Sequence, residues 1–349
     1  MGDWAIYAPP GGLLEPDVHV DNPKRILRLR RLIGKVGLDE RCDMLAPRPA
    51  GPHELTAVHS DGHVERMRAV SEAGSGDAGG GFTPMNGDSY DLAVLTAGSV
   101  LTCVERVLLG EADRAYAIGR RSGHHASHDT GYGFCIFNNV AVAARAAQRY
   151  GIDRVAIVDI DAHHGNGTEA IFYEDPTVLT ISIHEHRMFP VDTGGVDARG
   201  AADAIGTNVN IPLAPGTGDH GYLYAVDRLV LPALMSFRPQ LILVVAGVDG
   251  SMYDPLSTFA LTASGFALVA QRLIEAAELY AEGRIVFEQE GGYSPIYAPF
   301  CWLALLETLA EAPRTEDPFA PFLEGAGFVE LAPHQRDLVE RLGTELHLD

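Results

Sequence analysis

Asp161 and His163 stand two residues apart, just after a short apolar run that begins at Val155. Side chains two positions apart on an extended chain point to the same side. A carboxylate beside an imidazole suits Zn²⁺ or another borderline divalent ion. The apolar residues before the pair and the glycines after it do not fit a solvated strand end, so we predict that both residues bind a metal. Asp159 shares their side and is predicted to orient a neighbouring group.

Asp249 is the candidate for a third ligand. It follows the apolar run Leu241–Ala246, which has the composition of a buried strand. An aspartate before a glycine is, by itself, more often a turn residue. Together with Asp161 and His163, however, it would make a set of one imidazole and two carboxylates. Such a set leaves a fourth position open for water, as in catalytic rather than structural zinc sites.

Two other segments carry residues that could transfer protons or stabilise negative charge. His124 and His125 are adjacent, and such a pair can supply a base and an acid near neutral pH when polar partners fix the tautomers. Tyr293 follows Gly291 and Gly292, and its hydroxyl could donate to a developing oxyanion. Either feature alone is weak evidence, and only its combination with the metal ligands predicts catalysis. We interpret the other histidines of this region as loop or backbone-holding residues: His128, His164, His184 and His186.

The elements that must position these residues alternate between short β-branched runs and longer Ala/Leu-rich segments. The predicted strands are Trp4–Tyr7, Ala115–Ile118, Val155–Ile160, Val178–Ile183, Leu241–Ala246 and Arg284–Phe287. The predicted helices are Leu92–Leu109, Val140–Tyr150, Tyr222–Phe237 and Ser264–Ala281.

This alternation predicts an α/β fold of three layers, α/β/α, around a mainly parallel central sheet. Open sheets of this kind bind ligands beyond the carboxyl ends of their strands, which is where the candidate residues lie. We predict a single catalytic domain over residues 1–349, with Gly74–Gly81 as an excursion loop and the tail from about residue 312 at the periphery.

Composition excludes some classes of protein. The 349 residues carry a net charge of −21, which argues against nucleic-acid binding and is compatible with cationic ligands. The apolar run Leu241–Val248 is far shorter than the roughly 20 residues that span a membrane. The four cysteines are widely separated, which fits a reducing compartment without disulfides. We therefore expect a cytoplasmic protein without membrane contact.

Six segments resemble the zinc-dependent histone deacetylase superfamily, and specifically its bacterial class II branch of histone-deacetylase-like amidohydrolases. They are GHHA at 123–126, GFCIFNN at 133–139, DIDAHHGNGT at 159–168, LTISIH at 179–184, VDGSMYDPLS at 248–257 and EGGYSPIYAPFC at 290–301. The resemblance runs over most of the chain and implies the arginase/deacetylase fold.

The resemblance also implies roles for individual residues. Asp161, His163 and Asp249 would be the zinc ligands, which agrees with the set reached from the residues alone. His124 and His125 would be the proton-transfer pair, with Asp159 and Asn166 as their respective partners, and Tyr293 would polarise the substrate carbonyl. An acyl-lysine tunnel would be formed by Gly133, Phe134, Phe189 and, at the rim, Leu256. A structural K⁺ would be held by Asp159, Asp161, Ser182 and the carbonyl oxygens of His163 and Ile183.

The implied reaction is hydrolysis of an acyl amide, with His124 as the base towards a metal-activated water and His125, together with His124, protonating the leaving amine. The substrate would be an acylated lysine in a peptide or a small acylated amine, including acetylpolyamines and dedicated metabolites. Leu256 stands where a polyamine-selective relative has glutamate, which favours lysine. The sequence leaves open Fe²⁺ in place of Zn²⁺, and a homo-oligomer.

Two departures from the family pattern concern loops near the site. Arg121-Ser122 replaces the usual Pro-Pro before the histidine pair, which removes two fixed φ angles and adds a charge. The aspartate that some deacetylases use to hold a peptide backbone has no clear counterpart in residues 77–91.

Two other functions remain as alternatives at this stage. Binuclear manganese ureohydrolases share the fold but need further carboxylates, where this chain has Gly165 and Gly247. A non-catalytic protein that senses acylated amines would keep the metal and the pocket, but the complete set of His124, His125 and Tyr293 argues against it.

Overall fold

A parallel β-sheet forms the centre of the structure, a computed structural model that describes residues 6–7, 17–81, 83–323, 327 and 329–348. Within those ranges the sheet has six strands: β5 (Arg114–Ala117), β6 (Val155–Asp159), β7 (Val178–Glu185), β8 (Asn208–Leu213), β9 (Leu241–Ala246) and β10 (Ile285–Gln289). They lie in the order β5-β10-β9-β6-β7-β8, and every neighbouring pair is parallel.

Helices cover both faces of this sheet. They are α1 (Lys24–Val36), α2 (Pro52–Leu55), α3 (Asp61–Glu72), α4 (Ser89–Leu108), α5 (Asn139–Arg149), α6 (Asn166–Phe172), α7 (Asp219–Ala225), α8 (Leu231–Phe237), α9 (Ala263–Tyr280), α10 (Ala298–Leu309), α11 (Ala320–Leu323) and α12 (Pro333–Leu346). Each of these helices is too short or too polar to cross a lipid bilayer.

Alternate residues of β6, at the centre of the sheet, face two separate hydrophobic clusters. Ala156 and Val158 of β6 pack in the cluster that includes α1, α9 and α10, whereas Val155 and Ile157 pack in the cluster that includes α4 and α5. Because successive side chains of a strand point to opposite faces, strands buried on both sides must be apolar at every position. The predicted three-layer α/β fold with a mainly parallel sheet is confirmed.

Four neighbouring strands bring the predicted site together. The carboxyl ends of β5, β10, β9 and β6 lie side by side, and the chain leaves each of them into a loop that carries candidate residues. These loops lead to His124, Tyr293, Asp249 and Asp161 respectively. The ends of parallel strands share one edge of the sheet, which is why residues distant in sequence converge here.

Several predicted boundaries were wrong. Gly74–Gly81 is not simply a loop, because β3 (Ser75–Asp77) within it pairs antiparallel with β4 (Pro84–Asn86). The single predicted helix Tyr222–Phe237 consists of α7, a π-helical turn at Val226–Val230 and α8, which begins beside Pro232. Proline lacks the N–H that would continue the regular α-helical hydrogen bonds.

Other differences concern elements at the periphery. Positions 4 and 5 of the predicted strand Trp4–Tyr7 lie outside the described residues. Ile6–Tyr7 is a strand, β1, but it pairs with β2 (Asp17–Val18) rather than with the central sheet. The edge strand β8 was not predicted, since its asparagines and proline are poor strand formers. In the tail, Val339 and Leu342 of α12 are buried in the core.

Candidate active site

Asp161, His163 and Asp249 form a buried cluster in which each residue offers one ligand atom within 4.8 Å of the others. His163 Nδ1 lies 3.0 Å from Asp161 Oδ1 and 2.9 Å from Asp249 Oδ2. β6 and β9 are adjacent, so the loops that follow them meet. The three predicted metal ligands are therefore brought together by the fold.

The chemistry of this cluster fits a divalent cation. One ring nitrogen faces two carboxylates, and its single proton cannot satisfy both, whereas a cation can accept electron pairs from all three groups. Burial and the neighbouring Asp161 raise the pKa of Asp249 to about 6. Burial opposes ionisation of Asp161 too, but His124 and His163 outweigh it and lower its pKa.

Glycines make room for the two carboxylates. A Cβ atom on Gly247 would overlap the carboxyl group of Asp161, and a Cβ atom on Gly291 would overlap the carboxyl groups of both Asp161 and Asp249. On the far side of the imidazole, His163 Nε2 donates to the carbonyl oxygen of Leu256 over 3.1 Å. This bond leaves Nδ1 as the ligand atom and fixes the ring plane.

The two candidate catalytic histidines, His124 and His125, lie beside the metal-ligand cluster and have different partners. His124 Nδ1 is 2.8 Å from Asp159 Oδ2, and His125 Nδ1 is 2.7 Å from Asn166 Oδ1. The ring centroids are 4.0 Å apart. Each predicted partner therefore contacts its predicted histidine.

The electrostatic environments of these histidines differ. Burial lowers the pKa of His124, but Asp159, Asp161 and Glu290 outweigh it and raise the value to about 10. Burial and the positive charges of His124 and His163 lower the pKa of His125 well below its ordinary value. The Asp159 carboxylate favours a protonated His124, whereas His125 has no carboxylate partner among the described residues to offset its burial and the charge of His124.

Tyr293 is 7% exposed and lies within the loop that follows β10. Its ring packs 5.6 Å from that of Phe134, and the guanidinium of Arg25 lies 4.9 Å from its centroid. Gly292 has φ +141, a conformation that side chains rarely adopt. Burial and the charge of Asp249 raise the pKa of Tyr293, so its hydroxyl keeps its proton.

Aromatic rings line the approach to the histidines. The ring of Phe189 is 5.1 Å from that of His125, and Tyr132 stacks on Phe189 at 5.1 Å. Gly133 has φ +51, and a Cβ atom there would overlap the ring of His125. Leu256 is half-buried, and its carbonyl oxygen accepts the hydrogen bond from His163.

The residues predicted for K⁺ lie on neighbouring strands. Asp159 of β6 and Ser182 of β7 are paired in register, and both are buried. Gly165 N donates to Ser182 Oγ over 3.4 Å, and Asp161 N donates to Asp159 Oδ1 over 3.1 Å. Ile183 follows Ser182 in the same strand.

Three other histidines near the site, His128, His164 and His184, have structural partners. His128 Nδ1 is 2.6 Å from the carbonyl oxygen of Val58, as expected of a residue that holds backbone. His164 instead contacts side chains, with Nδ1 2.9 Å from Thr193 Oγ1. The prediction that His184 is a loop residue is wrong, because it lies in β7, and its Nε2 is 3.1 Å from the carbonyl oxygen of Gly194.

Sequence reasoning missed several residues that contact the site. Glu290 Oε1 accepts from the backbone N–H groups of Gly123 and His124, at 2.7 and 2.8 Å. Arg25 Nη1 donates to the carbonyl oxygen of Gly292 over 2.7 Å. Arg25 stands far from every motif in sequence, so only the run of charge on α1 could have drawn attention to it.

The structure shows what Arg121 and the loop at residues 77–83, where the sequence departs from the family pattern, contact instead. Arg121 is 4% exposed, donates from Nη2 to Ser89 Oγ over 2.9 Å, and lies 3.9 Å from Asp21. It thus links the segment before α1 to the start of α4. The carboxylate of Asp77 accepts from backbone N–H groups of its own loop, at Gly79, Gly81 and Thr83.

Comparison with known proteins agrees with this geometry. Residues 19–309 match the histone deacetylase domain. The histone deacetylase-like amidohydrolase of Pseudomonas aeruginosa is 40% identical, with 99% of this chain and 93% of that protein covered. Polyamine deacetylase HDAC10 of Homo sapiens is 33% identical over 94% of this chain and 51% of its own length.

A solved structure shows the same fold. The crystal structure of the HDA15 HD domain superposes with a TM-score of 0.83 at 29% identity, covering 96% of this chain and 93% of that one. The matched domain spans most of the chain and includes every candidate site residue. The chain therefore belongs to the histone deacetylase family, whose members are metal-dependent amidohydrolases.

Proposed function

We propose that this chain is a zinc-dependent deacetylase that removes an acetyl group from a lysine side chain or a related acylated amine. The observation that carries the proposal is the cluster of Asp161, His163 and Asp249 beside a histidine pair with its own partners and a buried phenol. Metal-dependent hydrolysis of an amide needs metal ligands, groups that transfer protons and a hydrogen-bond donor to the oxyanion in one place.

Asp161, His163 and Asp249 would hold the Zn²⁺, and the half-buried aromatic residues Phe134 and Phe189 would line the tunnel for the acyl chain. When bound, the ion supplies Lewis acidity, which lowers the pKa of a water molecule to about 7 and polarises a carbonyl group. A structural K⁺ would be held by Asp159, Asp161, Ser182 and the carbonyl oxygens of His163 and Ile183.

The two histidines would divide the movement of protons. His125 is kept neutral by burial and by the neighbouring charge of His124, and its Nδ1 is paired with Asn166 Oδ1, so its Nε2 is free to take a proton from water. His124, ionised beside Asp159, would give a proton to the leaving amine. The sequence pattern led us to expect His124 as the base, and the contrast between a carboxylate and an amide partner is the reason for the reversed assignment.

Tyr293 would donate a hydrogen bond to the oxyanion as the carbonyl carbon becomes tetrahedral. Its phenol stays protonated because burial and Asp249 raise its pKa. Such a preorganised donor does not have to reorient during the reaction.

Lysine is the preferred substrate class in this proposal. Leu256 places an apolar side chain at the rim, which offers no charge to the second amine of a polyamine. A cytoplasmic location accords with four free cysteines, and the net charge of −21 disfavours nucleic acid as a partner.

The test combines metal analysis with a substrate panel of acetyl-lysine peptides, acetylpolyamines and longer acyl-lysines. We expect about one Zn²⁺ per chain, as in mononuclear catalytic sites, and release of acetate from acetyl-lysine peptides. Asp249→Asn should lose both metal and activity, whereas Asp192→Asn, on the exposed surface, should keep both. Two Mn²⁺ ions with urea release would indicate a ureohydrolase, and a metal-loaded chain inert on the whole panel would indicate a binding protein.

A further inference from the structure

Asp254 is a buried carboxylate outside the metal cluster whose two oxygens accept three backbone hydrogen bonds. Leu256 N donates to Oδ1 over 2.9 Å. Tyr293 N and Ser294 N donate to Oδ2 over 2.5 and 3.2 Å. One side chain thus connects the loop after β9 to the loop after β10.

Each of these two loops carries part of the site. The loop after β9 carries Asp249 and also Leu256, whose carbonyl oxygen accepts from His163 Nε2. The loop after β10 carries Tyr293. The N–H of Leu256 and the carbonyl group that orients His163 belong to the same residue, so Asp254 is two hydrogen bonds away from the ligand imidazole.

The loop after β10, residues 290–297, contains no strand or helix that would fix its backbone. Gly291 and Gly292 precede Tyr293, and no regular strand or helix begins before Ala298. Glycine leaves the backbone free to rotate, so contacts from outside the loop must set the direction of the phenol. Arg25 supports Gly292 from one side, and Asp254 holds the next two N–H groups from another.

We propose that Asp254 is a positioning residue for deacetylation: it holds Tyr293 at the oxyanion position and, through Leu256, holds the imidazole of His163. The inference rests on the proposed function. It concerns a residue that touches neither the metal nor the substrate and acts through two that do.

Asp254→Asn tests the role with minimal change in shape. The amide keeps one acceptor oxygen but turns an NH₂ donor towards N–H groups that need an acceptor. Loss of such supporting contacts typically costs 10–100-fold in activity or metal affinity, so we expect kcat to fall by roughly that factor. KM should change less than kcat, because Phe134 and Phe189 lie on other loops and Leu256, at the rim, is the one tunnel residue that Asp254 contacts among the described hydrogen bonds.

A double-mutant cycle with Tyr293→Phe separates positioning from a general structural effect. If Asp254 acts through the phenol, Asp254→Asn should cost much less in the Tyr293→Phe background than in the wild type. Zinc content and thermal midpoint are measured for every variant, and Asp192→Asn serves as the control on an exposed carboxylate. An equal loss of kcat in both backgrounds with unchanged zinc content, or wild-type kcat in Asp254→Asn, would overturn the proposal.

Backbone hydrogen exchange gives a readout that does not depend on activity. In the zinc-loaded protein, Asp254→Asn should speed exchange in peptides that cover residues 256 and 293–294, while peptides from β6 stay protected. Unchanged exchange at these positions would contradict the inference. If the wild type is inactive on the whole acyl-amine panel, the proposed function fails, and the exchange data still decide whether Asp254 holds both loops.

Discussion

Tyr293 illustrates how burial prepares a single side chain for chemistry. Its ring packs against Phe134 and Arg25, and burial together with the charge of Asp249 raises its pKa, so the hydroxyl stays protonated. A protonated phenol can donate, and one that is held in place needs no reorganisation during the reaction.

We expect Tyr293→Phe to lower kcat roughly 10²–10³-fold, as for removal of one oxyanion donor. Zinc content and KM should stay close to the wild-type values, because the change removes only one hydroxyl group. Steady-state acetate release measures the effect. Tyr150→Phe, at a side chain that is 50% exposed, is the matched control. A kcat within a factor of two of the wild type would assign the oxyanion to another donor.

At the scale of the elements, glycines that follow β9 and β10 decide how closely the candidate metal ligands approach each other. Gly247 and Gly291 lie against the carboxyl groups of Asp161 and Asp249. Any side chain there would push these groups apart, although neither glycine is itself a ligand.

Gly291→Ala should therefore weaken metal binding by at least about tenfold, the lower end of the range for lost supporting contacts. Competition with a fluorescent zinc chelator measures this affinity without the need for turnover. Gly34→Ala, in α1, is the control, since the atom nearest to the added methyl group would be Asp39 Oδ2 at 3.5 Å. Equal zinc affinity in the two variants would show that the strand ends can separate without cost.

Arg121 shows that an element can accept a departure from its family pattern. Two prolines would stiffen the segment before His124, and here a buried guanidinium holds it through Ser89 and Asp21 instead. Asn139 adds a hydrogen bond to the carbonyl oxygen of Arg121 over 3.1 Å. Side-chain contacts thus replace a covalent restriction of the backbone.

At the scale of the whole molecule, buried neutral histidines link stability to pH. His59 Nδ1–H donates to the carbonyl oxygen of Ser127 over 2.8 Å, and its Nε2 accepts from Asn138 N over 2.9 Å. Protonation of Nε2 would break the second bond. Burial, with a contribution from His63, lowers the pKa of His59 to about 3.

The free energy of unfolding should fall as the pH falls from about 6.5 towards 3, because the unfolded chain then binds a proton that native His59 does not. One such group contributes a slope of up to about 1.4 kcal/mol per pH unit. Urea unfolding at several pH values should show a shallower slope for His59→Gln than for the wild type. His53→Gln, at an exposed position, should keep the wild-type slope. Identical slopes for all three proteins would rule out this linkage.

The sheet and the candidate site were predictable to different degrees. Apolar runs such as Leu241–Ala246 indicate buried parallel strands because both faces must be covered, and the structure confirms that strand with the same bounds. β8 escaped prediction because Asn208 and Asn210 are held by Glu169 rather than by any local preference for strands.

Local residue types and their order were enough to determine the layers of the fold and to predict a metal-ligand set and a phenol, because periodicity and ligand chemistry act over a few residues. Only the tertiary structure decided which groups support them. Arg25, Glu290 and Asp254 contact Gly292, His124 and Tyr293 across gaps of 267, 166 and 39 residues. The free energy of such a contact depends on burial and direction in space, and neither is a property of the residues' order along the chain.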